Sequence, residues 1–201
     1  MQRMWVSRFV VFASLACCSA EAPKPEAQLT VRVYNFAKVP HQTLQLAEET
    51  AAWIFRRSGI ELRWVDCPIS TPDIPTLSEC APTTDPLTAS IRILPQPMSE
   101  RFALPAAKFG VAFPPDKVFV FFDRVEAATK DTGFSRPKVL AHIMAHELGH
   151  LLIQSEVHST TGIMTENLLS KDCQRPGVLV FTPSQGEQMR AQLQRQLLAK
   201  N

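Results

Sequence analysis

An α/β fold, with a sheet packed against helices, is what this sequence predicts, on three observations. A strand pattern, a helix pattern and a second strand pattern follow one another with short connections over residues 28–66. Two more strand-like runs follow at 89–95 and 117–125. A long apolar helical stretch, 137–153, then leads to a second helical stretch near the C-terminus. In order, QLTVRVYNF (28–36) alternates apolar with polar at Leu29, Val31 and Val33, as a half-buried strand does. Residues 41–58 carry Leu44, Leu46, Ala47, Ala51, Ile54 and Phe55 at near-helical spacing and run into Ser58 and Gly59, a fitting helix stop. IELRWVD (60–66) alternates again. Two strands joined this closely through a helix form a parallel pair with a right-handed crossover. After the proline-rich stretch 68–86 come ASIRILP (89–95) and KVFVFFDRV (117–125), both strands by pattern. FGVAFPP (109–115) holds two prolines that suit an edge or a loop, and on pattern alone it reads as a surface connection. The helix at 137–153 has Pro137 in its first turn and buries Val139, Leu140, Ile143, Met144, Leu148, Leu151 and Leu152. Thr182, Pro183 and Gln185 make a capping box with proline at the first helical position, opening a helix striped by Met189, Leu193 and Leu197.

At 201 residues the chain is long enough for one domain with a real core. Residues 1–20 read as a signal peptide. Arg3 and Arg8 precede the apolar run Phe9 to Cys18, small residues stand at Cys18 and Ala20, and cleavage is placed after Ala20. Residues 21–201 then form the single mature domain, secreted or periplasmic. The rival reading is lipoprotein anchoring at Cys17 or Cys18. The apolar run is too short for a stable membrane span, and no other stretch approaches the required length. Without Arg3 and Arg8 the chain carries 19 basic and 19 acidic residues. That balance gives no electrostatic footprint for nucleic acid, and a monomer is expected. Three cysteines remain in an oxidising space. Cys67 and Cys80 bracket a proline-rich stretch that a bridge would restrain, so they are paired here and Cys173 is left free.

The chemistry is concentrated in VLAHIMAHELGHLL. His146, Glu147 and His150 spell H-E-x-x-H, and His158 follows ahead of Gly162, Ile163 and Met164. Residues four apart share a helix face, so His146 and His150 can aim at one ion while Glu147 stands beside it without ligating. Four of the five histidines (142, 146, 150 and 158) fall in this short window. One Zn2+ held by His146, His150 and His158 would keep a fourth position open for water, the catalytic arrangement. Its water would ionise near neutrality, with Glu147 as general base and then acid. Glu156 and Glu166 remain alternatives for the third ligand. His142, one turn before His146, reads as a packed or supporting residue.

At this point the chain resembles the zincin metalloproteases, and within them the metzincins, whose motif runs H-E-x-x-H-x-x-G-x-x-H and is followed by a methionine-bearing turn. HELGH matches and GIM at 162–164 looks like that turn. Ile153 stands where the family's glycine belongs and Glu156 where its third histidine belongs, with His158 two residues later. The resemblance covers residues 139–166. It implies a zincin-like twisted mixed sheet packed on a long helix and the motif helix, with a small C-terminal lobe. It also implies a metalloendopeptidase acting on peptide or protein, with Met164 flooring the site and Gly110 to Phe113 as the edge that pairs with substrate. Two other classes stay open: a non-catalytic zinc-binding or structural secreted protein, and a zinc amidase or deacylase on non-protein amides. The sole tyrosine, Tyr34, lies in the first strand, so no phenol is expected near the metal.

Overall fold

The computed structural model describes residues 27–69, 78–130, 132–166, 168 and 179–200. The leader at 1–20, with its cleavage or lipidation site, and Cys173 lie outside the described residues. Strand β1 (Ala27–Asn35) passes through helix α1 (His41–Arg56) to β2 (Ile60–Cys67), and the two strands pair in parallel with Val31 opposite Trp64. β3 (Thr88–Leu94) pairs in parallel on the other flank of β1. The one-turn helix α2 (Gln96–Ser99) follows, then β4 (Gly110–Phe113) and β5 (Lys117–Phe121). Strand order is β2-β1-β3-β5-β4, with β4 antiparallel to β5 and every other pair parallel. A mixed α/β sheet is therefore the architecture, as the sequence predicts, with β4 as its one reversed edge strand.

Helix α3 (Phe122–Thr129) leaves the end of β5, α4 (Arg136–Ile153) is the motif helix, and α5 (Pro183–Lys200) is the C-terminal one. α1 and α4 pack side by side on one face of the sheet, α4 also meets β4 and β5, and α5 closes against α4 and β1. The core between them is continuous: Val31, Ile54, Phe55, Ile91, Val120, Leu140, Met144 and Leu148 have no exposed surface. Each such side chain contributes about 1.5–3 kcal/mol relative to exposure. Thirteen of the eighteen residues of α4 are buried, so it is a core helix rather than an amphipathic surface one.

Two local expectations are corrected. The strand read over 117–125 stops at Phe121, and residues 122–129 are helical. Phe122 and Val125, three apart, bury one helix face, and the Ser99 hydroxyl donates to Asp123 at 3.0 Å. These tertiary contacts override the β-propensity of FFDRV. Residues 110–113 form a strand instead of a mere connection. Its partner is β5, and both prolines fall just beyond it in the turn, where no ladder hydrogen bond is lost.

The capping box at the start of α5 is reciprocal, as the sequence predicts: the Thr182 N–H donates to Gln185 Oε1 at 2.9 Å and the Gln185 N–H to Thr182 Oγ1 at 3.3 Å. Cys67 and Cys80 form a disulfide. It sits in a small apolar cluster with Val65, on the face of the sheet away from the long helices, where Arg32 donates to the Ala81 carbonyl at 2.6 Å. Among the described residues no helix is long and apolar enough to cross a membrane.

Candidate metal centre

α4 carries His146 and His150 on the face turned toward β4, and the chain then reverses to bring His158 alongside. The helix ends without the glycine of the metzincin pattern. Gln154, immediately after Ile153, takes the left-handed conformation (φ 56°) and its N–H still caps the His150 carbonyl at 3.0 Å. This sharp exit lets residues 155–158 return beside the helix. The three imidazole centroids form a near-equilateral triangle with sides of 4.6, 5.2 and 5.0 Å. One nitrogen from each lies within 4.8 Å of the others.

Backbone carbonyls set the tautomers. His146 Nδ1 lies 2.8 Å from the Ile163 carbonyl and His150 Nδ1 lies 2.6 Å from the Ser155 carbonyl. A carbonyl oxygen only accepts, so each Nδ1 carries the proton and donates, leaving both Nε2 lone pairs free. Those two Nε2 atoms stand 2.9 Å apart, facing one another. Two lone pairs so close repel unless a cation lies between them, and a third imidazole stands at the same point. This donor set fits a borderline-soft divalent ion such as zinc, whose ligating histidines usually donate their second nitrogen to a carbonyl. Burial pushes His146 down to about 3 and lowers His150 and His158, a direction that favours the neutral form that can ligate.

Glu147 is buried on the adjacent face, its carboxylate under β4, where the Ala112 N–H donates to it. Burial raises its carboxyl to about 8, against the opposing pull of the Lys108 ammonium and of that hydrogen bond. Gly110 makes the close approach feasible: a Cβ there would come within 2.7 Å of Glu147 Cγ and 2.9 Å of the Phe119 carbonyl. Met164 is buried, and Gly149 of HELGH leaves the room for it, since a Cβ would meet Met164 Sδ at 2.6 Å and the Phe181 ring at 2.8 Å. The turn bearing Met164 is fixed by Gly162 (φ +77°) and by the Ile163 N–H, which donates to Val180 O at 3.0 Å.

Of the other sequence candidates, Glu156 and Glu166 are exposed on the rim of the cleft, outside the cluster of nitrogens. His142 is buried one turn back; its Nε2 accepts from the Leu179 N–H at 3.3 Å, and burial lowers it to about 4. It supports the C-terminal segment and does not join the triad. Tyr34 lies across the sheet, its hydroxyl donating to the Cys80 carbonyl at 3.4 Å. The triad opens into a cleft of about 530 Å3 walled on one side by Ile143 and the motif residues and on the other by residues 107–112. Lys108 on that second wall has no sequence signal; only the fold brings it to the site.

No known protein-family profile matches the chain, and no curated protein does. Among solved structures, the crystal structure of archaemetzincin from Methanopyrus kandleri superposes with a TM-score of 0.53 at 12% identity, covering 87% of this chain and 100% of that one. At that identity the likeness is one of fold: two very different sequences share the α/β arrangement on which this histidine triad is mounted.

Proposed function

We propose that this chain is an exported zinc-dependent endopeptidase, with His146, His150 and His158 holding one Zn2+ and Glu147 as general base and acid. The observation that carries the reading is the convergence of three imidazoles, two with Nε2 freed by carbonyl-bound Nδ1, beside the buried carboxyl of Glu147. A purely structural site has no use for that carboxylate. The fold likeness to a protein named for the metzincins supports the same class. When bound, zinc supplies Lewis acidity and a water that ionises near neutral pH. Glu147 takes a proton from the attacking water as its oxygen bonds to the carbonyl carbon, and returns that proton to the leaving amine as the C–N bond breaks.

Extended peptide is the substrate the cleft supports. Among the described residues β4 pairs with β5 on one side only, and Gly110, Val111 and Ala112 line the cleft, so a peptide strand can add beside it through main-chain hydrogen bonds. The disulfide is consistent with an oxidising compartment reached through residues 1–20.

Zinc content of the chain 21–201, with chelator-sensitive cleavage of casein, tests this. One zinc per chain is expected, with Glu147→Ala keeping zinc while losing hydrolysis and His158→Ala losing much of both. Full zinc affinity in the histidine variant would move the third ligand to Glu156 or Glu166. Zinc without cleavage would favour a non-catalytic protein or an amidase, and absence of zinc would refute the centre.

A further inference from the structure

The wall facing α4 is the segment 104–109 that feeds β4, and its one charged side chain is Lys108. Three hydrogen bonds from Arg124 hold this segment in place. Its guanidinium donates to the carbonyls of Pro105 at 2.8 Å and Leu104 at 3.3 Å, and to that of Lys108, while it stacks on Phe121 at 4.5 Å. The Lys108 side chain is exposed on the cleft lip. Among the described residues its ammonium makes no ion pair, although Glu156 and Glu166 line the same cleft. Its charge nevertheless acts on His146, Glu147, His150 and His158 alike. Lys108 therefore lines the same cleft as the triad and Glu147, on the wall opposite the motif helix.

A cation lining the same cleft as a site for a dication opposes metal binding, and negative charge arriving with the substrate offsets that cost. Hydrolysis of an amide supplies that charge. When water attacks the carbonyl, the π electrons move onto oxygen, and that anion persists until the C–N bond breaks. Apart from the imidazoles, Lys108 is the sole side-chain donor among the described lining residues; the others are apolar or carboxylates. Tyr34, the only phenol in the chain, is engaged elsewhere.

We propose that Lys108 is a further catalytic residue, its ammonium donating a hydrogen bond to the anionic oxygen of the tetrahedral intermediate. This rests on the metallohydrolase reading. Donors aimed at developing charge contribute on the order of 100-fold to kcat.

The test compares Lys108→Met and Lys108→Arg with the parent chain 21–201. Zinc affinity is measured by chelator competition, Kd for a phosphinic tripeptide of alanine by calorimetry on the zinc-loaded proteins, and kcat and KM on a quenched fluorescent peptide. Lys108→Met is expected to bind zinc at least as tightly as the parent, to lose about 100-fold in kcat with little change in KM, and to weaken phosphinate binding by a similar factor. Lys108→Arg should recover part of both. Unchanged phosphinate affinity with unchanged kcat would overturn the role. A rise in KM alone would also overturn it, assigning Lys108 to a carboxylate of the substrate. If the parent itself binds no zinc, the metallohydrolase reading fails and takes this role with it, an outcome distinct from failure in the lysine variants alone.

Discussion

At the scale of single residues, the centre divides into what local spacing encodes and what only the fold brings near. His146, Glu147 and His150 are legible because one helical turn forces them together, and His158 because it falls between the motif and the methionine turn. Lys108, the Ala112 N–H and the Ser155 carbonyl leave no such trace: their contribution is a contact across the cleft or around a reversal, and their residue types are ordinary. Gly110 belongs to the same group, and its importance is steric. Gly110→Ala places a methyl group 2.7 Å from Glu147 Cγ and 2.9 Å from a backbone carbonyl that cannot swing away. A loss of about 1–3 kcal/mol in stability is expected, with hydrolysis falling as Glu147 is displaced while zinc binding persists. Urea unfolding and metal content read the two effects separately; parental stability with parental activity would contradict the packing described.

Elements were legible wherever burial is one-sided. β1, α1 and β2 alternate or repeat cleanly because each turns one face to the core, and the capping box of α5 is purely local. β5 and α3 were merged because FFDRV suits both states and contacts with Ser99 and the 104–108 loop decide between them. β4 was obscured because four residues carry too little periodicity to register, and its pairing comes from β5. The end of α4 is a different case, since the chain reverses there at a residue poorly suited to it. Gln154 is exposed and left-handed at φ 56°, a conformation that costs a non-glycine residue about 1 kcal/mol or more. Gln154→Gly should therefore raise stability by about 1 kcal/mol, visible as a higher midpoint in urea at unchanged slope. A lower midpoint would mean that the helix continues past Ile153.

For the whole molecule, two groups away from the metal centre, buried His142 and half-buried Glu48, have opposing pH dependences. His142 is neutral in the folded chain, lowered from 6.5 to about 4 by burial and then by Lys138. The unfolded chain takes up that proton first, so the stability His142 contributes is present above about pH 6.5 and is lost as pH falls toward 4. Glu48 is raised to about 8 by burial, with Asp66 beside it, so its contribution is present below about pH 4.5 and is lost as pH rises toward 8. Between those limits the two trends offset each other. His142→Gln should therefore gain roughly 2–3 kcal/mol over the parent on going from pH 7 to pH 4.5, measured by urea unfolding of the zinc-free chain at both values. A difference that does not change with pH would remove His142 as a source of acid sensitivity. The turn that orients His146 has a reach of its own, because Ile163 is held by Val180, in the segment that leads into α5. The H-E-x-x-H helix is a local structure, but its first histidine gains its fixed orientation only after residue 180 has docked. Completion of the metal centre is thereby tied to the docking of the C-terminal segment, and a motif that looks local in sequence becomes a reporter of tertiary assembly.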